Sequence, residues 1–208
     1  MKMGTAKARG VLYVFSAPSG CGKGTVLTEI RKRMPELKYS VSATTREPRT
    51  GEVDGVHYYF VSRERFDELV ETGGMLEHAT FCGNSYGTPK EKVFECLDNG
   101  IDVILEIETK GAMMVKESYP EAVMIFMLPP SIEELRNRLE NRHSETEEVI
   151  NGRVQEATRE IALAENYDYV FVNDDISEAV DTLYGIMTAS KNLVKFNSEL
   201  IKGVLEKC

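Results

Sequence analysis

Ala17-Pro18-Ser19-Gly20-Cys21-Gly22-Lys23-Gly24-Thr25 is the stretch that decides the fold. An apolar run at residues 11–16 leads into it and a helical pattern at 26–34 leads out. Strand, Gly-rich turn, Lys and helix N-terminus in that order predict a phosphate cradle, in which backbone N–H groups converge on a β-phosphate while Lys23 spans toward the β- and γ-oxygens. Glycines are required because the backbone must approach the phosphates with no Cβ in the way. Two positions depart from the strict GxxxxGK[ST] pattern. Ala17 replaces the first Gly, and Gly24 stands where a hydroxyl normally ligates Mg2+. Thr25 is next along and is the candidate for holding Mg2+, directly or through water. A dinucleotide fingerprint is excluded because its third Gly falls on Thr25. A nucleophile elbow is excluded because Ala17 and Cys21 flank Ser19.

Outward from this loop, residues 11–16, 102–108, 122–128 and Tyr169–Val172 read as buried strands, each followed by a helix start or a turn. That alternation predicts a parallel sheet covered by helices, an α/β fold of the P-loop NTPase type. Residues 38–88 behave differently. Tyr39-Ser40-Val41-Ser42 and His57-Tyr58-Tyr59-Phe60-Val61 alternate as half-exposed strands around a turn-rich link, which predicts a small inserted β-rich lobe between core segments 10–37 and 89–208. Ser131 with Glu134, and Ser144 with Glu147, match capping-box spacing and predict helix starts. Thr88-Pro89 reads as an N-cap and first-turn proline. Leu193, Phe196, Leu200, Val204 and Leu205 lie near one stripe of a C-terminal amphipathic segment, for which core packing is expected. Residues 1–9 read as a loose tail.

The 208 residues carry 34 Asp+Glu against 25 Lys+Arg, a formal charge of −9, which argues against a nucleic-acid-coating surface. Cys21, Cys82, Cys96 and Cys208 form no CxxC pair and no metal-ligand spacing with a histidine, so a reducing, cytoplasmic setting is expected. No stretch approaches the ~18 apolar residues of a membrane span. The run at 11–15, although preceded by Lys2, Lys7 and Arg9, is too short for a secretory h-region.

A phosphate loop alone says only that a nucleotide binds. Ser42-Ala43-Thr44-Thr45-Arg46-Glu47-Pro48-Arg49-Thr50-Gly51-Glu52 adds two arginines three apart with a proline between, a pair suited to grip one phosphate. Here the chain resembles the guanylate kinases, from about Val11 through Asp175. Glu77, Gly83-Asn84-Ser85-Tyr86-Gly87 and Val172-Asn173-Asp174-Asp175 fall in the family's order. The Lys23-Gly24-Thr25 ending is likewise similar to that of the nucleoside-monophosphate kinases.

The resemblance implies transfer of the γ-phosphoryl of ATP to GMP with Mg2+, within purine nucleotide metabolism. It places ATP on residues 17–25 (Ala17, Pro18, Ser19, Gly20, Cys21, Gly22, Lys23, Gly24, Thr25), with Asn173 at adenine. It places the GMP phosphate on Arg46, Arg49, Tyr58 and Tyr86, with Ser42 and Thr88 lining the base pocket of the inserted lobe. Glu77 and Glu108 would read guanine, whose ring N–H and exocyclic amine are two donors that carboxylates accept. Sites of this kind reject an analogue lacking the donor by ~10⁴-fold or more.

Charge on the transferring group would be met by Lys23, Arg46, Arg138, Arg142 and Arg153. Arg142 and Arg153 belong, by resemblance, to a mobile helical lid at about 138–155. Glu106 is a further metal candidate. Three departures stand out: Glu106-Ile107-Glu108 where the family commonly has Asp-x-Asp, Lys110 where many relatives have Gln, and Asn141-Arg142-His143 where it often has Gly-Arg-Gly. The expected partners are ATP and GMP, with neither nucleic acid nor membrane, in a monomer or homodimer. The competing readings are a kinase for another nucleoside monophosphate and a non-catalytic protein-binding module of the same fold. The latter lacks the loop and acceptor residues that Lys23, Arg46, Arg49 and Glu77 supply here.

Overall fold

The computed structural model describes residues 9–141 and 146–206. Residues 1–8, 142–145 and 207–208 lie outside them, and with them Arg142, His143, Ser144 and Cys208.

Five parallel strands form the main sheet in the order β2 (Lys38–Tyr39), β7 (Val103–Glu106), β1 (Leu12–Ser16), β8 (Val123–Leu128) and β9 (Tyr169–Val172). Alternation along β1 sends Tyr13 and Phe15 to one face, where they pack with Ile125 and Met127 under helices α1 (Lys23–Arg33) and α7 (Ile176–Ser190). Leu12 and Val14 go to the other face, beneath α3 (Lys90–Asp98) and α4 (Thr109–Ser118). Every residue of β1 is buried, as a central parallel strand covered on both faces must be. Phe15 stacks on Phe171 with ring centroids 6.1 Å apart, and the Tyr13 hydroxyl donates to the carbonyl of Met187.

A second, four-stranded sheet has the order β4 (Tyr59–Phe60), β3 (Ala43–Thr44), β6 (Asn84–Pro89) and β5 (Met75–Phe81), with α2 (Arg63–Glu71) against it through Phe66. Two helices, α5 (Ile132–Glu140) and α6 (Glu147–Ala162), pack on each other through Leu135, Leu139, Ile150 and Ala157. Ser131 caps α5 by accepting from the Glu134 N–H at 3.0 Å, as its spacing predicts.

The structure corrects four local expectations. Lys38–Tyr39 pairs with β7 at the edge of the main sheet, because the Tyr39 hydroxyl donates to the carbonyl of Leu27 and ties this segment to α1. Only Tyr59–Phe60 of the second expected lobe strand forms one. Thr88 is not a helix cap: Pro89 takes the N-cap position, while the Thr88 hydroxyl turns inward to a carboxylate. The C-terminal stripe does not join the core. Phe196 alone of its five residues packs on it, and α8 (Ser198–Leu205) buries none of its residues.

Deletion of residues 198–208 is therefore expected to leave Tm within about 2 °C of the full chain by calorimetry. Phe15→Ala, which opens a cavity at the sheet centre, should cost about 3–5 kcal/mol in denaturant unfolding.

Candidate active site

The loop after β1 lies at the C-terminal end of the main sheet where the strand order reverses, with β7 and β2 to one side and β8 and β9 to the other. Crevices open at such switch points in open α/β sheets. Gly22 is the N-cap of α1 at φ 88, a left-handed conformation, and a Cβ there would meet Nδ2 of Asn173 at 2.8 Å. Glycine is thus required twice over, by backbone and by space. At Gly24 a Cβ would meet nothing within 4 Å, so the absent hydroxyl leaves open room beside the exposed Thr25. A cleft of about 610 Å³ stands over the loop, lined by residues 17–25, Thr28, Glu106, Glu108 and Glu160. Lys23 reaches across it to Glu106, Nζ to Oε1 3.9 Å. Burial pushes the Cys21 thiol up to about 12, so this loop cysteine is not a thiolate at neutral pH.

Glu106 also borders a second cavity, about 180 Å³, that Ser42, Tyr58 and Thr88 line from the second sheet. Of these, Tyr58 packs on two residues outside the lining: the Arg46 guanidinium sits against its ring at 5.5 Å, and Tyr86 meets it edge to face at 6.0 Å. The turn carrying these groups is pinned by threonines. The Thr44 hydroxyl accepts from the Arg46 N–H, and that of Thr45 accepts from the Ser85 N–H. The Arg49 side chain is exposed.

Glu77 is 7% exposed, and its Oε1 accepts from the Thr88 hydroxyl at 2.7 Å. Gly111, in the first turn of α4, permits this: a Cβ there would come within 3.0 Å of Oε2. Burial raises the Glu77 carboxyl above the ordinary range, and Glu108 nearby adds to the shift. Glu108 itself is the N-cap residue of α4 and is exposed.

Three expected residues are placed otherwise. Asn173 is 1% exposed, and its Nδ2 donates to the Cys21 carbonyl at 2.6 Å. Its side chain therefore braces the phosphate loop from beneath instead of standing open to a base; its Oδ1 has no partner among the described residues. Arg138 donates through Nε to Glu134 at 2.9 Å and through Nη1 to the Asn173 carbonyl at 3.0 Å, and it does not line the cleft. Arg153 lies on α6, also outside the lining. Arg142 lies outside the described residues.

Sequence reasoning missed Glu160. It lines the phosphate cleft half-buried, and burial, then the charge of Glu108, raises its carboxyl. No local motif marks it; it is brought to the cleft by the path of α6.

For a hydrated Mg2+ the donors present are suitable: the Thr25 hydroxyl and the Glu106 carboxylate are both hard oxygens, and both line the cleft. Among the described residues no cluster of three His, Cys, Asp or Glu forms a metal cage. Mg2+ characteristically needs none, since it keeps waters and binds through substrate phosphates.

Comparison with known proteins agrees with this geometry. The guanylate kinase family model matches residues 9–190. The guanylate kinase of Desulfitobacterium hafniense (strain Y51) is 52% identical over 195 residues, covering 94% of this chain and 98% of its own. That of Carboxydothermus hydrogenoformans is 52% identical over 202 residues, covering 96% and 99%. Among solved structures, the guanylate kinase from Anaplasma phagocytophilum superposes with a TM-score of 0.67 at 37% identity, over 90% of this chain and 89% of that one. A phosphate loop at the switch point, together with an arginine–tyrosine cluster and a buried glutamate on a second sheet, thus accompanies near full-length similarity, and the chain belongs to the guanylate kinase family.

Proposed function

We infer that this chain transfers the γ-phosphoryl of ATP to GMP, giving ADP and GDP. The observation that carries the reading is the pair of cavities that share Glu106, one floored by the phosphate loop and the other lined by Ser42, Tyr58 and Thr88, with Arg46 and Tyr86 packed on Tyr58. Two anionic substrates held there face each other across a single carboxylate.

The nucleophile is a phosphate oxygen of GMP, already largely ionised at neutral pH, so no general base is needed. The chain instead aligns the two phosphates and offsets the charge that develops between them. Residues 17–25 cradle the ATP phosphates with backbone N–H groups, and Lys23 bridges toward the transferring group. Arg46, Arg49, Tyr58 and Tyr86 hold the acceptor phosphate, with Ser42 and Thr88 beside the base. Thr25 and Glu106 would hold Mg2+, which supplies positive charge to the triphosphate when bound. By the family resemblance, Arg138, Arg142 and Arg153 would add positive charge over the nucleotide through closure of a lid, for which Arg138 has to leave Glu134 and the carbonyl of Asn173. That ion pair is partly exposed and therefore weak enough to exchange.

Guanine selectivity rests on Glu77 and Glu108. The Thr88 hydroxyl orients one oxygen of Glu77, and Glu108 stands near it. Ionised, they accept from the ring N–H and exocyclic amine of guanine. Adenine presents a lone pair where that N–H would be, leaving a buried carboxylate unpaired.

Three outcomes test this reading. Lys23→Ala should retain the circular dichroism and Tm of the parent and lose nearly all ADP formation in a coupled assay with ATP, GMP and Mg2+; turnover close to that of the parent overturns the loop assignment. Arg46→Ala should weaken GMP by about 1.5–3 kcal/mol in calorimetry while ATP affinity stays unchanged; the reverse pattern assigns the two cavities wrongly. Glu77 has a folded pKa raised above its unfolded value near 4.3, so ionising it costs stability that is lost as pH rises from that value through the folded one. Glu77→Gln should therefore raise Tm at pH 7 while sharply reducing the preference for GMP over AMP; a lower Tm together with intact selectivity counts against both roles.

A further inference from the structure

Arg46 does not stand free in the second sheet. Its Nη2 donates to both oxygens of Glu52, at 2.8 and 2.9 Å, and its Nη1 donates to the Glu47 carbonyl at 2.7 Å. The same carboxylate, through Oε2, accepts from the backbone N–H of Arg49 at 2.7 Å. One side chain thus holds the guanidinium of the first acceptor arginine and the main chain that carries the second. Its own exposure is only 18%, against 16% for Arg46. The Tyr58 and Phe60 rings, 5.5 and 5.8 Å from the guanidinium carbon, complete the enclosure. The Arg46 and Arg49 contacts keep the Glu52 carboxyl at about 2, so it is ionised throughout the neutral range.

Two physical effects of this carboxylate on a bound phosphate oppose each other. As a negative charge beside the acceptor site it repels an incoming anion, and its removal would strengthen the attraction. As a fixed acceptor it holds a long, rotamer-rich side chain in one orientation before the ligand arrives, which removes the ordering cost from binding. A carboxylate with three short contacts to two consecutive arginines of the motif has the geometry of the second effect.

We propose that Glu52 is the positioning residue of the acceptor-phosphate site: it touches no substrate, and it raises affinity for the phosphate of GMP by presetting Arg46 and the Arg49 turn. The proposal rests on the acceptor reading of Arg46 given above.

Glu52→Gln separates the two effects because they differ in sign. The amide keeps the volume, removes the charge and leaves one oxygen where two are needed. The expected result is an increase of about tenfold in KM for GMP, equivalent to about 1.4 kcal/mol, with kcat and KM for ATP changed less than about twofold. Guanosine, which has the base and no phosphate, should bind the variant as it binds the parent. In an Arg46→Ala background the same substitution should add less than about twofold, since its partner is gone. Glu52→Asp should recover part of the loss. Unchanged or tighter GMP binding by Glu52→Gln overturns the proposal. An equal loss of guanosine binding also overturns it, because the effect would then be on folding of the whole lobe. Failure of the parent protein itself to bind GMP would instead bring down the acceptor reading, and this inference with it.

Discussion

Burial of β1 on both faces and pairing on both edges is the constraint from which the site is built. Leu12–Ser16 is wholly enclosed, and β7 and β8 hold it in parallel register on either side. A strand so confined cannot shift by one residue without turning Tyr13 and Phe15 out of one cluster and Leu12 and Val14 out of the other. The loop at its end is therefore delivered to one place, and the backbone of α1 begins there. Asn173, at the end of β9, then braces the loop from beneath through the Cys21 carbonyl. Phosphate recognition by backbone N–H groups needs this kind of stiffness, because those groups have no rotamers with which to adjust.

An acidic chain that gathers cations must also keep them in place while no anion is present. Here each described cation of the proposed machinery whose contact is resolved has an internal acceptor: Glu106 faces Lys23, Glu52 holds Arg46, and Glu134 with the Asn173 carbonyl holds Arg138. The acceptors differ in grip. Glu106 stands at 3.9 Å and half-exposed, and Glu134 is partly exposed, so both pairs can open readily. Glu52 is more enclosed and makes three contacts, which suits a residue that stays in place. The net charge of −9 thus excludes an extended polyanion, while local pairing prepares a site for two small ones.

The parts of this arrangement visible in the linear chain were those governed by local spacing. The phosphate loop announces itself because Gly20, Gly22 and Lys23 must follow a strand and open a helix, and the Ser131 cap because its acceptor and donor are three residues apart. Strands buried on both faces read as continuous apolar runs, as β1, β7 and β8 do; β9 reads the same way yet lies at the sheet edge with Val170 and Val172 exposed, so that expectation of burial fails there. What local spacing misreads are side chains whose partners lie far along the chain. Thr88 has the spacing of a helix cap, yet Glu77 lies close enough to take its hydroxyl. The C-terminal stripe has the periodicity of a packed helix, yet α8 buries none of its residues. Glu160 carries no motif at all and becomes visible only where α6 crosses the cleft.

By itself, then, the sequence determined the class of fold, the phosphate loop and the family to which the acceptor residues belong, because each depends on the order of residue types within a short window. Only the tertiary structure decided what several of those residues touch. It turned Asn173 beneath the loop, set Glu77 against Gly111, and closed Glu52 onto Arg46 and Arg49. Hydrogen bonds and burial act over a few ångströms in space, whatever the separation along the chain, so the places of Asn173 and Glu77 exist only once β9, β5 and α4 have been brought together, whereas Glu52 meets its partners six and three residues back through the folding of its own turn.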